Sequence, residues 1–160
     1  MNHTVIDNYL TNEELEAIKK IVCGANFPWF YGDYVSGPGD NSDFYFIHTF
    51  YGNNTINSTF FSAFTPILEK IKPKALIRGR ALLYIGKDKL IEHGKHIDFD
   101  YPHKTFILYL NTNDGFTRLH DGQCINSVEN RALFFDGSLE HNSTNCTDQK
   151  SRKLITISYF

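Results

Sequence analysis

The sequence predicts a mainly β fold with flanking helices: a jelly-roll barrel, or double-stranded β-helix, supported by N-terminal helices. Aromatic residues make up 15% of the chain, with 14 Phe and 9 Tyr, and such side chains favour strands over helices. From Ala75 onward, short β-branched and aromatic runs alternate with turn residues. That pattern is typical of a jelly roll rather than of a parallel α/β sheet.

We expect a single domain over residues 1–160, with helical and peripheral-strand support in residues 1–74 and the jelly-roll core in residues 75–160. The length suffices for one hydrophobic core and is too short for two such folds. A net charge of -2 gives no basic field that would attract nucleic acid. No apolar stretch approaches the roughly 20 residues of a membrane span.

A cytoplasmic location is predicted from both the N-terminus and the cysteines. No basic region followed by an apolar run opens the chain, so we expect no secretory signal. The three cysteines, Cys23, Cys124 and Cys146, are odd in number and form no CxxC pair. We therefore interpret them as reduced thiols rather than as disulfides or a zinc site.

Two helices are predicted in the supporting region. Thr11 and Glu14 have the spacing of a capping box, and apolar residues follow at helical spacing until Gly24. A second apolar stripe covers residues 60–71, where Pro66 either kinks the helix or starts a new turn. We expect both helices to cover a sheet.

Three β-branched and aromatic runs in the second half predict core strands at residues 104–111, 131–136 and 152–160. Their edges carry the polar residues with the clearest chemical pattern. These are His96-Ile-Asp98 before the first run, His141 after the second, and Arg152 at the start of the third.

His96, Asp98 and His141 predict a metal site. Two residues apart on a strand, His96 and Asp98 would share a face. Two imidazoles and one carboxylate leave about three octahedral positions open, an arrangement associated with non-haem Fe(II) that must bind a co-substrate and dioxygen. A His-x-Asp pair alone is more often an ion pair or a satisfied core polar group. The metal interpretation is favoured by His141 and Arg152, which lie at the edges of the second and third predicted strands.

These stretches also carry a family resemblance. HIDFDYPHKTFILYLNTNDGFTRL, NRALFFDGSLEH and SRKLITISYF resemble the core of the 2-oxoglutarate/Fe(II)-dependent oxygenases, in particular the prolyl-4-hydroxylase-like branch. The chain is most similar to short members encoded by bacterial viruses. VIDNYLTNEELEAI and IRGRALLYI look like the N-terminal helix and first core strand of that group, so the resemblance covers nearly the whole chain.

The resemblance implies a role for each residue. His96, Asp98 and His141 would be the catalytic iron ligands. Arg152 would pair with the distal carboxylate of 2-oxoglutarate, for which a forked guanidinium is suited. Tyr109 falls where the family often places a hydroxyl on the same carboxylate.

Two further cofactor-binding residues follow from the resemblance. Tyr84 matches a pocket-lining tyrosine of the preceding core strand. Thr156, four residues after Arg152, shares its face of the last strand. For Tyr84 and Tyr109, ordinary core packing with one hydroxyl hydrogen bond is the open alternative.

The implied activity is hydroxylation of a C–H bond with Fe(II) and 2-oxoglutarate, releasing succinate and CO2, with ascorbate as an optional cofactor. The substrate would be a prolyl or other residue of a protein or peptide. A free amino acid or small metabolite is the alternative, and a non-catalytic, cupin-like metal-binding barrel is the rival from another class. Nucleic acid is disfavoured, because no second arginine follows Arg152 one strand later. If the chain is virus-encoded, its location would be the host cytoplasm.

Residues 26–54 are predicted to form peripheral strands around a mobile loop at the substrate entrance. Their centre, Ser36 to Asn41, is a strong turn signal. The aromatic residues before it could contact substrate or pack under the sheet, and this choice stays open; they are Trp29, Phe30, Tyr31 and Tyr34. His103 and His120 lie in turn-like contexts, which predicts solvated side chains.

Overall fold

Antiparallel strands dominate the computed structural model, which describes residues 3–160. The strands are β1 (His3–Ile6), β2 (Phe30–Gly32), β3 (Tyr45–Gly52), β4 (Thr55–Ile56), β5 (Leu76–Ile85), β6 (Lys104–Tyr109), β7 (Phe116–Arg118), β8 (Cys124–Asn126), β9 (Ala132–Asp136), β10 (Asn142–Ser143) and β11 (Ser151–Tyr159). The helices are α1 (Asn12–Val22) and α2 (Thr65–Ile71), the latter preceded by a 3-10 turn at Phe61–Phe64. The predicted mainly β class is confirmed.

The strands form two sheets. The major sheet has the order β1-β9-β6-β11-β5-β3-β2, with β4 paired to β3. The minor sheet has the order β10-β7-β8. Isolated bridges at Glu92–Thr144 and His96–His141 attach residues 91–96 to it beside β10. The two facing antiparallel sheets confirm the jelly-roll architecture.

Each face of the major sheet has its own hydrophobic core. The outer core joins the sheet to the helices, and almost fully buried in it are Ile18 of α1, Phe64 of the 3-10 turn and Ile67 of α2. The inner core fills the space between the sheets, around residues such as Tyr109 and Leu133. Because side chains alternate along a strand, both faces of the central strands are buried. β11, for example, is buried at eight of its nine positions.

Helix α1 begins as the sequence indicates. The Thr11 side chain accepts a hydrogen bond from the Glu14 backbone, and the Glu14 side chain accepts one from Thr11. The apolar stripe over residues 60–71 is divided, because Pro66 lies in the first turn of α2 and follows the 3-10 turn. Pro66 therefore starts a new helix rather than kinking one. None of the helices over residues 3–160 has the length and apolarity needed to span a membrane.

Residues 26–54 contribute more to the sheet than peripheral strands would. β3 pairs with β5 along most of its length, so it extends the major sheet. β2 is the edge strand beside β3 and leaves Phe30 and Tyr31 about three-fifths exposed. The turn after β2 approaches Gly94, where an added Cβ would collide with the Ser36 side chain. This turn therefore contacts the segment that carries His96.

We expect Gly79→Ala to destabilise the protein. A Cβ at this position of β5 would lie 2.5 Å from a ring carbon of Phe64, which anchors α2. Overpacking of this kind costs about 1–3 kcal/mol. Gly37→Ala is the matched control, because its Cβ would meet nothing within 4 Å. Urea unfolding measures both changes, and equal free energies of unfolding would contradict the packing described here.

Candidate metal centre

His96, Asp98 and His141 converge on one point. One potential ligand atom from each lies within 4.8 Å of the other two. Residues His96 and His141 face each other across the minor sheet, with reciprocal backbone hydrogen bonds of 3.0 and 2.9 Å. Their ring centroids are 4.6 Å apart. Backbone pairing thus brings together two imidazoles that are distant in the sequence.

The segment from His96 to Asp98 is not the regular strand that the sequence predicts. His96 pairs with His141, but the Asp98 backbone N–H donates to the Gly137 carbonyl at 2.9 Å. The chain therefore leaves the ladder between the two ligands. The side chains of His96 and Asp98 still point to the same side, because their backbone partners, His141 and Gly137, belong to the same segment between β9 and β10.

Both imidazoles are oriented by backbone carbonyls. The Nδ1 of His141 lies 2.9 Å from the Leu139 carbonyl, and the Nδ1 of His96 lies 3.4 Å from the Gly94 carbonyl. A proton on Nδ1 leaves the Nε2 lone pair for a metal ion. Burial, with help from His141, lowers the pKa of His96 to about 4. His96 is therefore neutral at pH 7, as a metal ligand must be.

Asp98 is held in its charged form by a set of polar neighbours. The Thr105 hydroxyl donates to Oδ2 at 2.7 Å, and the Arg78 guanidinium donates to Oδ1 at 2.5 Å. Burial opposes the charge, but His103 and Arg78 outweigh it and keep the pKa of Asp98 well below its usual range. The carboxylate is thus ionised and aimed at the site.

His103 corrects one expectation from the sequence. It was predicted to be solvated, yet its side chain is fully buried, with Nε2 3.9 Å from the Asp98 Oδ2. Its Nδ1 lies 2.8 Å from the Tyr101 carbonyl. The turn that contains His103 folds back under β6 and β9, because Gly137 donates its N–H to the His103 carbonyl. His103 therefore lies beside Asp98 at the candidate metal centre.

Arg152 is fully buried behind the same centre. Its Nε donates to the Ser127 hydroxyl at 2.7 Å, and Nη2 donates to the Thr117 hydroxyl at 3.1 Å. Nη1 donates to the Ser143 hydroxyl and the Thr144 carbonyl. All these partners are neutral. Within residues 3–160, no carboxylate forms an ion pair with this guanidinium.

The aromatic residues predicted for the site surround Arg152. The guanidinium lies 5.4 Å from the ring centre of Tyr84 and 5.5 Å from that of Tyr109. The Tyr109 hydroxyl donates to Thr117 at 2.8 Å. Burial raises the pKa of both phenols, so both remain protonated donors at neutral pH.

A cavity of about 40 Å³ connects most of these residues. Its walls include the three candidate ligands together with Tyr84 and Thr156. Tyr109 and Arg152 do not line it directly. They lie behind Thr117 and Ser143, which do. The structure thus brings together every residue predicted for the site. Arg152 and Tyr109 lie behind the residues that line the cavity, and the others line it directly.

Three further residues at the site, Arg78, Arg80 and Thr105, were not predicted from the sequence. The sequence did contain a signal for Arg78 and Arg80. Both are separated from Tyr84 by an even number of positions on β5, so the three side chains share a face of the strand. Arg80 lines the cavity with the ligands. Thr105 carried no comparable signal, because its role depends on the fold of the Asp98 turn.

The fold matches solved 2-oxoglutarate oxygenases. A prolyl hydroxylase from Trichoplax adhaerens, solved with a hypoxia inducible factor peptide fragment, superposes with a TM-score of 0.72 at 14% identity, covering 99% of this chain and 83% of that one. The viral collagen prolyl hydroxylase of Paramecium Bursaria Chlorella virus-1, solved with 2-oxoglutarate, gives a TM-score of 0.63 at 13% identity, covering 99% and 95%.

A third match was solved with a different kind of molecule bound. HygX from Streptomyces hygroscopicus, solved with nickel, 2-oxoglutarate and hygromycin B, gives a TM-score of 0.65 at 14% identity, covering 99% of this chain and 82% of that one. No family model and no curated protein sequence matches the chain. The structural neighbours therefore define the fold as that of the 2-oxoglutarate/Fe(II) oxygenases, and they leave the substrate open.

We expect Gly137→Ala to weaken metal binding. A Cβ at Gly137 would collide with the Thr105 hydroxyl and the His103 ring, and would lie 3.1 Å from the Asp98 Oδ2. Displacing groups that orient a ligand typically costs 10–100-fold in metal affinity. Gly52→Ala is the matched control, because its Cβ makes only ordinary contacts. Anaerobic Fe(II) titration of the two folded variants measures the difference; equal affinities would refute this role for Gly137.

Proposed function

We propose that this chain is an Fe(II)- and 2-oxoglutarate-dependent dioxygenase that hydroxylates a C–H bond, and that the whole chain acts as one oxygenase domain. The observation that carries the proposal is a fully buried arginine, Arg152, that has no carboxylate partner in the described part of the chain and lies behind a His-Asp-His donor set. A buried charge without a counterion costs several kcal/mol. An anionic ligand at Arg152 would remove that cost.

The donor set fits Fe(II). His96 and His141 would supply neutral nitrogen, and Asp98 would supply a carboxylate oxygen, which suits an iron ion with open positions for other ligands. Bound together, Fe(II) and 2-oxoglutarate would allow dioxygen to act as the oxidant, with one oxygen atom going to the hydroxylated substrate and the other to succinate as CO2 is released. The contribution of the chain is to hold the two imidazoles neutral, keep Asp98 ionised and exclude water.

Arg152 would hold the distal carboxylate of 2-oxoglutarate. Its donors now point to the hydroxyls of Ser143 and Thr117, both of which line the cavity. A carboxylate could replace those hydroxyls and form stronger, charge-assisted bonds. The cavity is narrow, at about 40 Å³, so we expect the surrounding side chains to shift when 2-oxoglutarate binds, as side chains commonly do. Tyr109, Tyr84 and Thr156 would line the widened pocket.

A cupin-like metal-binding barrel uses the same type of ligands but has no need for Arg152. The isolated buried charge of Arg152 therefore favours the oxygenase. Within that class, we propose a prolyl or other residue of a protein or peptide as the substrate, with a free amino acid or small metabolite as the alternative. Use of ascorbate, a cytoplasmic location and a substrate-entrance role for residues 26–54 remain predictions.

Asp98→Ala and His141→Ala should each abolish 2-oxoglutarate decarboxylation, because each removes one of three protein ligands. The assay is anaerobic loading of Fe(II) and 2-oxoglutarate, followed by the visible charge-transfer band of the chelate and then by succinate release in air. Asp136→Ala serves as a control, because that carboxylate accepts hydrogen bonds from Ser138 and is not a candidate ligand. Substantial decarboxylation by either ligand variant would reject the triad.

Arg152→Met should weaken 2-oxoglutarate binding much more than Fe(II) binding. Removing one partner of a buried charge pair costs on the order of 2–5 kcal/mol, or a factor of about 30 to several thousand. Arg131→Met is the control, since Arg131 forms a partly exposed ion pair with Asp7. The measurement is the increase in Tm on adding 2-oxoglutarate to Fe(II)-loaded protein. The same increase in Arg152→Met as in wild type would assign the co-substrate to another residue.

A further inference from the structure

Arg80 is a further cation at the candidate metal centre, and within residues 3–160 its side chain has no hydrogen-bond or ion-pair partner. It lines the cavity beside His96, Asp98 and His141. Its Nε is buried without a hydrogen bond, and its side chain makes no hydrogen bond or ion pair within residues 3–160. The other arginines are all engaged: Arg78 with Asp98, Arg118 with Glu92, Arg131 with Asp7, and Arg152 with hydroxyl groups.

The surroundings of Arg80 are electropositive. Arg78 and Arg80 are two positions apart on β5, so their side chains share the face of the strand from which Arg78 contacts Asp98. Asp98 is the carboxylate that faces this pair, and in the proposed function it is also a ligand of a divalent cation. This part of the cavity therefore keeps a positive charge that neither Asp98 nor a co-substrate held at Arg152 would fully neutralise.

Arg80, which lines the cavity, and Arg152, which lies behind its wall, are toward different ends of the cavity. On the paired strands β5 and β11, Arg152 lies opposite Tyr84, whereas Arg80 lies opposite Thr156. The two positions are thus four residues apart along the strands, or about 13 Å at roughly 3.3 Å per residue. One distal carboxylate of 2-oxoglutarate therefore binds at Arg152 or at Arg80, and not at both.

We propose that Arg80 binds a carboxylate of the substrate that is hydroxylated, and so determines substrate specificity. The inference rests on the proposed function and narrows its substrate class to compounds with a carboxylate near the oxidised C–H bond. A guanidinium matches this group because its forked donors meet both oxygens. Two sources of the same chemistry are a free amino acid and an acidic residue of a peptide.

The test uses wild-type protein loaded anaerobically with Fe(II) and saturating 2-oxoglutarate, with sodium acetate as the probe and sodium chloride at equal ionic strength as the reference. Acetate should perturb the charge-transfer band saturably. In Arg80→Met the acetate Kd should rise at least tenfold, while 2-oxoglutarate affinity stays within about twofold. The acetate Kd of Arg80→Lys should lie between those of wild type and Arg80→Met. Arg118→Met removes a partly exposed arginine and should have the acetate Kd of wild type.

Three results would overturn the assignment. Equal acetate binding by wild type and Arg80→Met would locate acetate on the iron or elsewhere, and no perturbation of wild type would exclude the carboxylate site. Loss of 2-oxoglutarate binding in Arg80→Met would make Arg80 the co-substrate anchor. If wild type forms no charge-transfer band at all, the proposed function itself fails, so the two failures are distinguishable.

A second set of probes distinguishes the two sources. L-proline is compared with L-prolinamide, and acetyl-Asp-Pro-amide with acetyl-Asn-Pro-amide, so that each pair differs only at the acid. Binding is again read from the charge-transfer band. Tighter binding of L-proline than of its amide indicates a free amino acid, and tighter binding of the aspartyl peptide than of the asparaginyl peptide indicates an acidic peptide. In either case the preference should disappear in Arg80→Met. A preference that persists in that variant would contradict the proposal.

Discussion

The metal centre depends on the backbone bridge between His96 and His141. These residues are far apart in the sequence, and each donates its N–H to the carbonyl of the other. The bridge joins residues 91–96 to β10, so the same two bonds complete the minor sheet and set the distance between the imidazoles. Asp98 then needs only its bond to Gly137 to reach the same point. The register of the minor sheet therefore also fixes the relative positions of the two candidate histidine ligands.

Much of the fold could be predicted from the sequence because its signals are local. The capping box at Thr11, the position of Pro66 and the β-branched runs each act within a few residues. The pairing of His96 with Asp98 could also be anticipated from their spacing, and His141 from its place after the second predicted strand together with the family resemblance. The position of Asp98 outside the ladder could not, because it follows from a hydrogen bond to Gly137, which is distant in the sequence.

The polar groups behind the ligands were harder to foresee. His103 looks like a solvated turn residue in the sequence, yet its side chain is buried beside Asp98, although the neighbouring turn residues are exposed. Arg78 and Arg80 stand in a strand whose apolar residues dominate the pattern, so their charge was not related to the site. In both cases the function of the residue depends on tertiary contacts between strands, and local propensity carries no information about those contacts.

The outer edge of the major sheet bears on self-association. Edge strand β2 is only three residues long and carries the exposed rings of Phe30 and Tyr31. Pro28 lies two residues before β2 and has no N–H to donate, so it limits how far the strand can lengthen in that direction. Short edges and prolines are features that disfavour pairing of sheets between molecules. The short length of β2 and the position of Pro28 therefore disfavour edge-to-edge pairing through this aromatic strand.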